Sequence, residues 1–144
     1  MGKYREIMDE WFVRVWGEGD TACIYEKCAE NLATTGHRGH PLSSPKEFEE
    51  FHTIISSLVK DIDMKITQSV ENEEWFSMIY EFNSTSIKTG KPVTMTGSSM
   101  VRFENGKIIE AHEHANFIEF FQGLDALPVN TLELGFTGNK IIMD

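Results

Sequence analysis

The sequence has no apolar run near the roughly 18 residues that a membrane-spanning helix needs. Its opening stretch, MGKYREIMDEWF, contains no apolar segment of signal length. A membrane span and an export signal are therefore not expected, and the compartment the sequence points to is the cytoplasm. Cysteine is scarce. Only Cys23 and Cys28 are present, too close along one expected helix to pair well and without the partners of a zinc site, so both read as reduced structural thiols. Positive charge is also in short supply: 13 Lys and Arg stand against 23 Asp and Glu, a formal charge of −10. That balance repels phosphate backbones and anionic lipid, and no basic cluster overrides it, which excludes nucleic acid and a membrane surface as expected partners. Repeats, low-complexity runs and linkers are missing as well. What remains is 144 residues of which 40% are apolar, enough for one core-forming domain over residues 1–144 and too few for two.

The apolar residues Tyr4, Ile7, Met8, Trp11, Phe12 and Val15 recur at three- and four-residue steps, so the spacing predicts an amphipathic helix from Lys3 to Trp16, ended by GEGD. Asp20 can cap a second, shorter helix through about Glu30, and NLATTGHRGHPLSSP then reads as a short strand and a loop. A third helix begins with Ser44 as N-cap, Pro45 at the first helical position and Glu47 as the capping-box carboxylate, and buries Phe48, Phe51, Ile55 and Leu58. Four alternating segments follow, DIDMKITQSV, EEWFSMIYEFNSTSI, KPVTMTGSSMVRF and GKIIEAHEHANFIEFF, separated by turn signals. Helices first and a run of strands afterwards predict an α+β domain with helices packed on one face of a curved antiparallel sheet.

The two residues Asn105 and Gly106 are a strong hairpin signal and set Glu104 opposite Lys107. Regular pairing from that point puts Ser99 opposite His112, Gly97 opposite His114 and Met95 opposite Asn116, on the more apolar and hence inner side. A second tight hairpin at Thr89 and Gly90 would add Tyr80 and Phe82 to the same side, and any even slip keeps each residue on its side. Small Ser99 and Gly97 beside two histidines leave space for a small polar-aromatic ligand, rimmed by Tyr80, Phe82 and Met95. The loop GHRGHP, with His37 and His40, can close its mouth, and Phe51 of the third helix faces it.

The run TGKPVTMTGSSMVRFENGKIIEAHEH, Thr89 to His114, resembles the Thr-Gly-Lys, strand, Arg-Phe, Asp/Asn-Gly-Lys-Ile, Glu pattern of SnoaL-like proteins, relatives of polyketide cyclases within the nuclear transport factor 2-like superfamily. VWGEGD, SPKEFEEFH and LDALP resemble further parts of the family pattern, so that nearly the whole chain is covered. The resemblance implies a cone-shaped α+β fold, a curved mixed sheet wrapped by three helices from the N-terminal half around a pocket, and often a homodimer. It also implies a pocket acid/base on the last strand, usually an Asp, that moves a proton α to a carbonyl. Alignment on GKIIE puts that position at Asn116, whose amide does not exchange protons at physiological pH.

His112 and His114, with ordinary pKa values near 6.5, are then the candidate bases, and Asn116 or Tyr80 the donor to an enolate oxygen. The competing reading for each histidine is a hydrogen-bonded core residue, and a His-x-His metal site with Glu110 or His37 as third ligand is a further one. Glu110 reads as a solvated rim residue. The expected occupant is a small hydrophobic or carbonyl-containing molecule, with neither cofactor nor metal called for. The alternative is a non-catalytic ligand-binding or dimeric assembly module, with a homodimer through an outer sheet face carrying Ile79, Met100, Ile109, Ala111 and Phe117.

Overall fold

The computed structural model describes residues 2–142. Its first helix, α1 (Lys3–Trp11), runs directly into a wider π-helical turn, Phe12–Gly17. The expected single helix to Trp16 thus changes pitch near its end: the Glu18 N–H donates to the Val13 carbonyl at 2.9 Å, a step of five residues. Phe12, Val15 and Trp16 all turn into the core in consequence. Arg14 is left outside, where it meets Glu10, Asp20 and Glu26. Helix α2 (Ala22–Lys27) is shorter than expected, because the chain is already extended at Cys28 and forms strand β1 (Cys28–Thr35).

Helix α3 (Pro45–Leu58) starts where the capping signature puts it. Ser44 Oγ accepts the Glu47 N–H at 3.1 Å, while the Glu47 carboxylate accepts the Ser43 N–H, closing the box one residue back. Phe48, Phe51 and Ile55 are buried as expected, but Leu58 is exposed, and buried His52 completes the stripe. The His52 Nε2–H donates to the Val15 carbonyl at 2.7 Å, which ties α3 to the π-helical turn.

Strands β2 (Val59–Glu71), β3 (Trp75–Ser86), β4 (Pro92–Glu104) and β5 (Lys107–Ala115) form the expected antiparallel meander. Strand β1 adds parallel to β5, so the open, mixed sheet has the order β1-β5-β4-β3-β2. Its inner face carries Phe76, Met78, Tyr80 and Phe82 of β3, and these join residues of α1, the π turn and α3 in one core. The chain ends in helices α4 (Phe117–Gly123) and α5 (Thr131–Phe136). A strand continuing to Phe121, as the alternation suggested, therefore stops at Ala115.

Two registers differ from expectation in different ways. Between β3 and β4 a four-residue loop, Ile87 to Gly90, closed by the Ser86 N–H donating to the Lys91 carbonyl at 2.8 Å, replaces the two-residue one, so Tyr80 faces Gly97 and Phe82 faces Met95. That slip is even and keeps every side chain on its expected face. Between β4 and β5 the tight turn is as expected, with Asn105 and Gly106 both at positive φ, Glu104 opposite Lys107 and Phe103 opposite Ile108. The next pair, however, is Arg102 with Glu110, which leaves Ile109 as an extra residue on β5. Such a bulge exchanges the two faces for the rest of the strand. Both isoleucines become buried, at 4% and 8% exposure, which regular alternation on one inner face does not allow. Ser99 consequently faces Glu113 and Gly97 faces Ala115, while His112 pairs with Met100 and His114 with Ser98. The expected inner placement of His112 and His114 is corrected by this one residue.

Candidate functional site

Between the inner sheet face and the helices lies a cavity of about 80 Å³, room for several waters or one small organic group. Its walls are aromatic and thioether side chains, among them Trp11, Trp16 and Phe48 from the helices and Met64 and Met78 from the sheet. Of the residues expected to line it, Tyr80, Phe82, Met95, Ser99, His37 and Phe51 do. Gly97 contributes differently. A Cβ there would lie 2.4 Å from the Tyr80 ring and hydroxyl, so the missing side chain is the space in which Tyr80 lies across the sheet. Gly97 also borders, with His114 and Asn116, a shallow open depression on the outer face.

The polar end of the cavity is built around Glu113, which the sequence reading did not single out. Its side chain is only 11% exposed. The Tyr80 hydroxyl donates to its Oε1, and His37 Nε2 stands 3.6 Å from Oε2, longer than a hydrogen bond. Burial raises the Glu113 carboxyl to about 7, against the opposing pull of hydrogen bonds from Tyr80 and Ser99. Burial likewise pushes the Tyr80 phenol up, with the Glu113 charge adding to it. His37 moves the other way, down to about 4, because burial disfavours its charged form. Near neutral pH the pair is thus a neutral imidazole beside a carboxyl close to half ionisation, not a salt bridge. Thr34, on β1 opposite Ala111, borders the same space.

The residues expected to carry catalysis lie elsewhere. His112 is on the outer face, its Nδ1 2.8 Å from Thr35 Oγ1 and its Nε2 2.6 Å from the Glu110 carboxylate. Arg102 holds that carboxylate from the other side at 2.8 Å and, with His112 as the lesser cause, keeps its pKa below the usual range. His114 is exposed. Asn116 follows the strand and caps α4, its side-chain oxygen accepting the Glu119 N–H at 3.2 Å. The His-x-His metal grouping is not assembled with His37, which is on the opposite face of the sheet. Glu10, Cys23 and Glu26 do come together, but Arg14 and Lys27 already engage the two carboxylates.

Two signals in the sequence bear on Glu113. The doublet Ile108-Ile109 breaks the alternation just before it, and Ala111 and Ala115 flank it at the two-residue steps that share its face, leaving room for a carboxyl among small neighbours.

No curated protein sequence matches this chain. Solved structures do. The chain is similar to IdmH of Streptomyces antibioticus, a candidate polyketide cyclase, at 16% identity and a TM-score of 0.74, over 86% of this chain and 99% of that one. It is similar to a candidate polyketide cyclase of Acidithiobacillus ferrooxidans at 19% identity and a TM-score of 0.72, over 86% and 95% of the two chains. A hypothetical protein of Catenulispora acidiphila with a ketosteroid isomerase-like fold, solved in complex with trimethylamine, matches at 11% identity and a TM-score of 0.74, over 85% of this chain and 98% of that one. These likenesses share the α+β cone. Residues 9–111 match the SnoaL-like domain, and on that match the chain belongs to the SnoaL-like family.

Proposed function

We propose that this protein moves a proton at the carbon α to a carbonyl in a small, uncharged, largely apolar compound, as in an isomerisation or a ring closure, with Glu113 taking and returning the proton. The observation that carries this reading is a carboxyl set into an apolar cavity and raised by burial to about 7. A group titrating near the working pH is the best compromise between holding the right protonation state and transferring a proton. Tyr80 fixes one carboxyl oxygen, and the other stands beside His37. The compound is uncharged because no Lys or Arg among the described residues borders the cavity, so an anionic group would be buried next to Glu113 without a counter-charge. Likeness to candidate polyketide cyclases supports a carbonyl substrate. A base at His112 or His114 has no such support, since both rings lie outside.

The test is deuterium exchange. A panel of small ketones, β-diketones and β-keto esters is incubated with the protein in D2O and followed by proton NMR. With a compound that exchanges, Glu113→Gln should lower the rate about 10²-fold or more, and His112→Gln and His114→Gln should leave it unchanged. Full activity in Glu113→Gln overturns the proposal.

A second reading, a non-catalytic binding or dimeric assembly module, is favoured by one observation. Ile79 and Met100 are about half exposed, at 46% and 47%, on the outer sheet face. This is a smaller patch than expected from the sequence. Ile109 and Ala111 are buried and Phe117 half-buried, with Ala111 and Phe117 bordering the cavity instead.

A further inference from the structure

Two buried polar atoms of the cavity residues have no hydrogen-bond partner, Thr34 Oγ1 and His37 Nδ1. Thr34 is 2% exposed and the His37 side chain 9%. A buried polar atom without a partner is costly, so two among the residues lining one cavity mark the place where a ligand's polar group belongs. Both stand close to Glu113 for reasons of backbone geometry. Thr34 pairs with Ala111 in the parallel ladder, and Glu113 is the next residue on that face of β5. The hydroxyl and the carboxyl are therefore diagonal neighbours, roughly 7 Å apart at their backbones. Gly36 has a φ of +88°, and a Cβ there would sit 1.8 Å from the Glu113 carbonyl oxygen. Only glycine lets the chain pass so closely and set His37 against Glu113. Phe48 and Phe51, with ring centroids 5.3 and 5.5 Å away and planes at 78° and 74° to the imidazole, then hold the ring in place.

A neutral imidazole carries one N–H and one lone pair. The nitrogen turned towards the Glu113 carboxylate, Nε2, is the one that an anionic neighbour keeps protonated, which makes Nδ1 an acceptor. We propose that Thr34 and His37 form a hydroxyl-binding subsite beside Glu113, in which a ligand O–H donates to His37 Nδ1 and Thr34 Oγ1 donates to the ligand's oxygen. The inference rests on the proposed reading of the cavity and narrows its substrate: the carbonyl compound carries a free alcohol, phenol or enol hydroxyl near the carbon that loses its proton.

Phenol and fluorobenzene, similar in shape and differing in the O–H donor, serve as probes. In protein labelled with ¹⁵N-histidine, millimolar phenol should move the Nδ1 resonance of His37, assigned through its loss in His37→Phe, and fluorobenzene should not. Phenol should bind about tenfold or more tightly than fluorobenzene. That preference should shrink in Thr34→Val, which keeps the β-branched shape, and vanish in His37→Phe. An Nδ1 resonance that phenol leaves in place, or a preference that survives His37→Phe, overturns the subsite. Failure of the proton-transfer reading is seen separately, as turnover that persists in Glu113→Gln, while the Nδ1 response still decides the subsite.

Discussion

A carboxyl whose pKa rises from 4.5 to about 7 on folding binds more protons in the native chain than in the unfolded one between those pH values. Its contribution to stability is complete below the unfolded value and is lost as pH rises through about 7. His37 acts with the opposite sign. Its pKa falls from 6.5 to about 4, so its neutral form contributes above the unfolded value and that contribution is lost as pH falls through about 4. Comparing the wild type with Glu113→Gln isolates the carboxyl. The variant should gain stability relative to the wild type between pH 5 and pH 8, by on the order of 3 kcal/mol, as read from urea midpoints at the two pH values. A difference that does not change with pH would mean that Glu113 is solvated. The same residue that makes the fold less stable at high pH is the one that can hold or release a proton at neutral pH.

The element that decides which side chains meet in the cavity is β5, and within it the bulge at Ile109. Deleting Ile109 would remove the extra residue but leave Arg102 opposite Glu110 and every later pair as it is, so Glu113 stays on the inner face and His112 and His114 on the outer one. What the deletion removes is one isoleucine side chain, 8% exposed, at a cost of roughly 2–5 kcal/mol, so it should lower the melting point by circular dichroism and leave the Glu113 titration in place. A Glu113 carboxyl that returned to the ordinary range in the deletion would contradict this pairing. This is also where legibility in the sequence ended. The α3 cap, the meander and the tight β4–β5 turn depend on local chemistry, Ser44, Pro45 and Glu47 or Asn105 and Gly106, and were readable. The β3–β4 turn length was not, yet an even slip does no harm to facing. A single extra residue does. Ile109 has no turn residue to announce it, only a second isoleucine where a polar side chain was due, and everything after it changed sides. The cavity walls Tyr80, Ser99, Phe51 and His37 were legible because they lie on other elements, while Glu113 was hidden between two histidines that drew attention to the wrong face.

At the scale of the molecule, the helices and the open sheet act together as a container whose apolar wall sets the chemistry of its polar end. On the assembly reading proposed above, a second copy covers the outer sheet face through Ile79 and Met100, with Trp75 beside them, half-buried against Arg102 and His112. Light scattering should then give twice the 16.4 kDa of one chain, and Met100→Lys should shift the mass towards the monomer; a 16.4 kDa particle at micromolar concentration would exclude the dimer. The raised pKa of Glu113 is itself a property of this whole arrangement, since α1, the π turn, α3 and the bulged sheet must all be in place to exclude water from one carboxyl. Its titration is therefore the most direct measurement of whether the cavity holds a working proton-transfer group. Followed by carbon NMR of the side-chain carboxyl, assigned through its absence in Glu113→Gln, the midpoint is expected at about 7; a midpoint near the ordinary value of about 4.3 would contradict it.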